Sequence, residues 1–174
     1  MVLLTIIALG PKQDLPLQAI AKLCSQYDCS IANSYMSTMT GLQCLVILVS
    51  GKWSDIAKLE TGLENFRKEK EISLVTRRTE NIEPTTESFL PYTAQLIGVD
   101  SIQLIHDTLS FFLLHEIPVE AIRSESVAYN NTPIINLNLA INIPLTKNIG
   151  EIRDEFLVFC DDINIDGNIE PDRR

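Results

Sequence analysis

Apolar residues recur along the chain in two rhythms, one of strands and one of helices, and their order gives the architecture. Residues 3–9 (Leu3-Leu4-Thr5-Ile6-Ile7-Ala8-Leu9) form a short, β-branched apolar run ending at Gly10, the pattern of a buried strand. Pro11-Lys12-Gln13-Asp14 makes a polar loop, after which Leu17, Ile20, Ala21, Cys24 and Tyr27 fall on one stripe of an amphipathic helix. Asp14 or its neighbour is placed to cap that helix, and Pro16 suits a first turn, where a missing N–H costs nothing. Strands over 30–39 and 42–50 flank Thr40-Gly41, with glycine where a hairpin turn needs positive φ. Gln43 is the one strongly polar residue of the later strand before Ser50, so both of its faces are apolar. Such a strand is central, or its open face meets another surface. Trp53, Ile56, Leu59, Leu63 and Phe66 then set the stripe of a second helix, with Ser54 or Asp55 near its start. Lys68-Glu69-Lys70-Glu71 is its solvated end, and residues 72–76 close the set as a strand.

Periodicity disappears over 79–88, where Glu80, Glu83, Pro84 and Glu87 mark an exposed linker. The same order of elements then returns. A strand over 92–97 ends at Gly98, Asp100-Ser101 is placed to cap a helix with the stripe Ile102, Ile105, Leu109, Phe112 and Leu113, and strands over 119–127 and 134–143 flank a turn-rich segment. Asn148 with Glu151 three residues on predicts a helix start, followed by Ile152, Phe156 and Phe159, and a strand over 163–169 ends the set. Gly10 and Gly98, like Ile31 and Val119, stand 88 positions apart in the two sets. A repeated order of elements with little residue identity predicts a duplicated small domain. The fold class is therefore α+β: two tandem ferredoxin-like βαββαβ domains, each an antiparallel four-stranded sheet with its helices on one face. The expected bounds are 1–79 for the first domain, 80–89 for the linker and 90–174 for the second.

The repeats are expected to differ on the open faces of their sheets. In 135–143, Ile135, Leu137, Leu139, Ile141 and Ile143 alternate with Asn136, Asn138, Ala140 and Asn142, so this open face is polar, whereas that of 42–50 is apolar. An apolar open face predicts a covering surface.

Charge is divided in the same way. The net charge of −9 comes from the second half: residues 1–80 hold nine Lys/Arg against eight Asp/Glu, and residues 81–174 hold five against fifteen. With no basic stripe to neutralise phosphates, direct nucleic-acid binding is not expected. The N-terminus has no basic region before its apolar run and no run approaches 18 residues, so neither a signal peptide nor a membrane span is expected. Cys24, Cys29, Cys44 and Cys160 lack C-x-x-C spacing and read as small core residues in a reducing, cytoplasmic compartment.

Catalytic chemistry finds no support in the chain. His106 and His115 lie nine positions apart on one helix, about 13.5 Å in rise, too far to share a metal. Asp161-Asp162 with Asp166 and Gly167 lacks the glutamate that completes a calcium loop and reads as an acidic surface turn. No catalytic motif, metal or cofactor is expected.

Ile7-Ala8-Leu9-Gly10, Cys29-Ser30-Ile31-Ala32-Asn33-Ser34, Ser50-Gly51-Lys52-Trp53 and Asp100-Ser101 together resemble the tandem ACT-domain family of small-molecule-sensing modules, and within it the glycine-responsive transcriptional repressors. The resemblance implies a non-enzymatic regulator that represses through a protein partner, a DNA-binding activator, with glycine or another amino acid as its signal. It also implies pairing of ACT modules, within the chain or in a homodimer, which would cover the apolar face. A free-standing sensor acting on an amino-acid metabolic enzyme is the alternative. The ligand-binding positions it implies are Gly10, Pro11, Lys12, Gln13, Asp14, Leu15 and Asn33 in the first repeat and Gly98, Asp100 and Ser101 in the second. The family's loop usually runs Asp-Arg-Pro-Gly where this chain has Lys12-Gln13-Asp14-Leu15. Leu15 puts a branched side chain where glycine would admit a carboxylate to the backbone, so weak or absent glycine binding is expected there.

Overall fold

A computed structural model describes residues 1–13, 17–70, 72–79 and 88–172. The chain divides into two compact units, Met1–Glu83 and Pro84–Arg174. In the first, β1 (Val2–Pro11), α1 (Leu17–Gln26), β2 (Ser30–Met39), β3 (Leu42–Gly51), α2 (Trp53–Glu69) and β4 (Ser73–Thr79) follow in order. The second repeats it with β5 (Phe89–Val99), α3 (Leu104–Leu114), β6 (Val119–Tyr129), β7 (Thr132–Pro144), α4 (Ile149–Asp162) and β8 (Asp166–Pro171). Each sheet is antiparallel, in the order β2-β3-β1-β4 and β6-β7-β5-β8. This is the ferredoxin-like βαββαβ arrangement, twice, with the first and third strands of each set central.

Alternation along the strands explains which face the helices cover. On β1 Leu4, Ile6 and Ala8 are buried, on β3 Leu45, Ile47 and Val49, and they pack with Ile20 and Cys24 of α1 and Ile56, Leu59 and Leu63 of α2. The second core joins Ala94 and Leu96 of β5 and five alternate residues of β7 to an aromatic set, Phe111, Phe112, Phe156 and Phe159, with ring centroids 5.1–6.0 Å apart. Thr108 is fully buried there, with no partner for its hydroxyl among the described residues.

The turns follow the chemistry of their residues. Thr40 and Gly41 both take positive φ (47° and 85°), as do Asn130 and Asn131 (48° and 64°), the backbone that suits the twist of a two-residue hairpin. Asn148 caps α4: its Oδ1 accepts from the Gly150 N–H at 3.0 Å and its Nδ2 donates to Glu151 at 3.1 Å.

Several sequence expectations change in detail. The first strands of both sets run through Gly10 and Gly98 instead of ending there. β5 begins at Phe89, inside the range expected as linker; residues 80–87 lie outside the described residues. Asp100 and Ser101 do not cap α3, which starts at Leu104 behind Gln103. The inward stripe of α3 is Leu104, Thr108, Phe111 and Phe112, while Ile102 and Leu113 are exposed. Apolar residues cover more than half of this helix's circumference, leaving His106, Asp107 and Ser110 on one side, so periodicity alone does not fix the centre of the buried face. Trp53, expected on the buried stripe of α2, is 65% exposed. It lies in the first turn, and the Arg78 guanidinium sits 5.1 Å from its ring centroid, itself paired to Glu60 at 2.6 and 3.1 Å.

Candidate functional site

The residues expected to hold a ligand fall into separate places. Gly10 is buried near the end of β1 and Pro11 ends that strand; Lys12 and Gln13 follow in an exposed turn. Asp14 and Leu15 lie outside the described residues. A cavity of about 500 Å³ borders this end of the sheet, lined by Leu9, Gly10, Pro11, Leu42, Lys70, Ile72 and Ser73. Its walls are mostly apolar, with the Lys70 ammonium as a positive charge. Asn33 does not join them. It is exposed on β2 opposite Leu48, just past a bulge, whereas Gly10 lies opposite Gln43. Five residues along a strand amount to roughly 17 Å. Within one module, then, Asn33 and the Gly10 loop do not converge.

In the second module Gly98 is likewise near the end of its strand, β5, and a Cβ built on it would stand 2.7 Å from Ile165 Cγ1. Ile165 thus fills the space over that glycine. Asp100 N–H donates to the Pro133 carbonyl at 2.9 Å, and the Ser101 carbonyl accepts from Leu104 N–H at 3.2 Å, so both serve the chain's own turn.

One residue of the first module lacks a place in the sequence-derived set. Gln43 is buried (7% exposed) on the helix-covered face, directly opposite Gly10. The sequence signal for it was a lone amide in an otherwise apolar strand.

The open faces differ as their patterns predicted. Tyr35, Val46, Ile7 and Val75 are cross-strand neighbours, forming one apolar row across all four strands of the first sheet. All four are at least 40% exposed. The matching face of the second sheet carries Arg123, Asn138, Gln95 and Asn168 in a single row, with Glu125, Asn136, Ile97 and Asp166 in the next. Among the described residues no three His, Cys, Asp or Glu side chains gather to hold a metal, and no helix is long and apolar enough to cross a membrane. His115 closes α3, stacked on Phe111 at 4.2 Å, with Nδ1 2.7 Å from the Phe111 carbonyl and Nε2 2.5 Å from Glu155. His106 pairs with Asp107 at the surface.

Two βαββαβ modules in tandem, each with a strand–loop–helix junction at one end and a sheet face free of helices, define a duplicated ferredoxin-like α+β protein. Residues 2–77 match the ACT domain family, the second unit repeats the same order of elements, and the chain as a whole is similar to the glycine cleavage system transcriptional repressor. The relatives of that name in Escherichia coli (strain K12) and Shigella flexneri are each 24% identical over 168 residues, 95% of this chain and 88% of theirs. A crystal structure of a candidate glycine cleavage system transcriptional repressor superposes with a TM-score of 0.73 at 19% identity, over 97% of this chain and 96% of that one. A protein of unknown function from Galdieria sulphuraria does so at 0.81 and 13% identity, over 98% of both. At such identities the structural likeness establishes the fold.

Proposed function

We propose that the protein is a non-enzymatic cytoplasmic regulator that controls transcription through a protein partner, a DNA-binding activator, with a small amino acid such as glycine as its signal. The observation that carries this is the apolar row Tyr35–Val46–Ile7–Val75, exposed on the first sheet and replaced by amides and charges on the second. Leaving such a row in water is unfavourable by about 25 cal/mol for each Å² that an interface could cover. A surface that gains by being covered suits protein association, and a chain of net charge −9 is repelled by a phosphate backbone. Pairing of ACT modules in a homodimer would use the same row. The names of the two curated relatives support a role in transcriptional repression.

A gel-shift titration of the purified chain on promoter fragments tests the indirect route. No retardation is expected at physiological salt without a partner. Tight, sequence-selective binding by the chain alone would overturn the reading.

A further inference from the structure

We propose that the outer groove between α3 and α4 of the second module is a docking site for a basic amphipathic helix of a protein partner. This goes beyond the regulatory reading above and does not depend on the apolar row of the first sheet.

The groove has a volume of about 420 Å³, and Phe111, Val158 and Phe159 form its apolar wall. Val158 is 60% exposed, and Leu114, one turn beyond Phe111 on α3, is more exposed still. Asp154, Glu155 and Asp162 line the same groove, and no lysine or arginine does so among the described residues. On α4, Asp154 stands one turn before Val158 and Asp162 one turn after it. Glu155 pairs with His115, but the side chains of Asp154 and Asp162 make no hydrogen bond or ion pair among the described residues. Arg153 is the one basic residue of α4, and it is committed elsewhere. Its Nε donates to the Ile169 carbonyl at 3.0 Å, and its guanidinium sits 5.7 Å from the Tyr92 ring centroid. The negative charge beside the apolar wall is therefore uncompensated.

Folding does not ask for these charges. The last turn of α4 holds Asp161 and Asp162 and no basic residue, although the helix macrodipole favours cations there. The first module shows that the architecture is compatible with another rim. Its groove between α1 and α2, about 350 Å³, has Lys22 and Glu69 on its walls, whose charges offset, with the amides Gln26 and Asn65. An apolar trough with a carboxylate one turn to either side of an exposed valine matches one kind of occupant. That is a helix with an apolar anchor and a Lys or Arg one turn before and after it. The anchor would leave water in the trough, while the cations would meet unpaired aspartates and speed the encounter.

The test is a titration of a labelled Leu/Lys peptide of about 18 residues, its leucines at helical spacing, with the full chain. Fluorescence anisotropy reads the affinity, and ¹⁵N NMR of the chain maps the contact. Saturable binding that weakens as salt rises is expected, with amide shifts centred on α3 and α4. A peptide of the same composition in scrambled order, without an apolar stripe, is expected to bind at least about tenfold more weakly. Asp154→Asn combined with Asp162→Asn, and separately Val158→Ser, are each expected to weaken binding by about threefold or more. The thermal midpoint is expected to stay unchanged or rise in the double variant, since both sites are exposed and one opposes the helix dipole. Val46→Lys on the first sheet is expected to leave the affinity unchanged. Absence of saturable binding, equal binding of the scrambled peptide, or indifference to both sets of substitutions would overturn the inference. So would shifts centred on α1 and α2, or loss of binding in Val46→Lys. Each of these results would leave the regulatory reading standing.

Discussion

At the scale of single residues, the candidate site is a balance of small gains and losses. A glycine ligand has five heavy atoms, and the best small ligands gain about 1.5 kcal/mol per atom, so roughly 7.5 kcal/mol is its ceiling. Losing one hydrogen bond to a charged carboxylate, about 1.5–3 kcal/mol, moves binding from micromolar toward millimolar. Leu15 stands where the family's loop has the glycine of close approach, so Leu15→Gly is expected to strengthen glycine binding by about tenfold or more in calorimetry. Unchanged, sub-millimolar affinity in both forms would contradict that. The thiols make a second residue-scale case. Burial pushes Cys24 and Cys160, one in each module, up to about 11 from an ordinary 9.0. The charged form is disfavoured in the folded state, so this contribution is complete below pH 9.0 and is lost as pH rises toward 11. The urea midpoint is expected to fall across that window, on the order of 1–2 kcal/mol per thiol, and to fall less in Cys24→Ala and Cys160→Ala. An equal alkaline decline in both variants would show other groups to be responsible.

Elements were legible in the sequence where one physical signal dominated. Alternation gave the faces of β7, the turn residues gave both hairpins, and Asn148 with Glu151 gave the start of α4. Legibility failed where two signals competed. α3 has an apolar arc wider than the face it buries, so its buried stripe was displaced, and Trp53 met a cation from β4 that no local window contains. Gln43 was visible as an oddity, but its place on the helix-covered face opposite Gly10 needed the register. The contrast between the open faces was read directly, because every second residue of a strand reports on one face. That face carries an element-scale prediction. Val46→Lys at the centre of the apolar row is expected to fold normally, since the site is 40% exposed, and to abolish self-association in sedimentation, since a covered lysine would be an unpaired buried charge. A variant that sediments as the wild type does would remove the row from the interface.

For the whole molecule, the two modules share a fold and divide the work. The first carries a cavity at the loop end of β1 and the apolar row on its open face; the second presents amides and charges along the matching row and belongs to the half that holds most of the acidic charge. This division fits a regulator that meets its DNA-binding activator and small molecules through one module. It does not fit a protein that grips nucleic acid, because the cations needed to replace condensed counterions are missing. Affinity capture from a native lysate, with wild type and Val46→Lys run side by side and the bound proteins identified, tests this most directly. The account expects a DNA-binding activator to be retained by the wild type, released by glycine in the millimolar range, and absent from the variant. Recovery of a metabolic enzyme in its place, or of the same proteins by both baits, would contradict it.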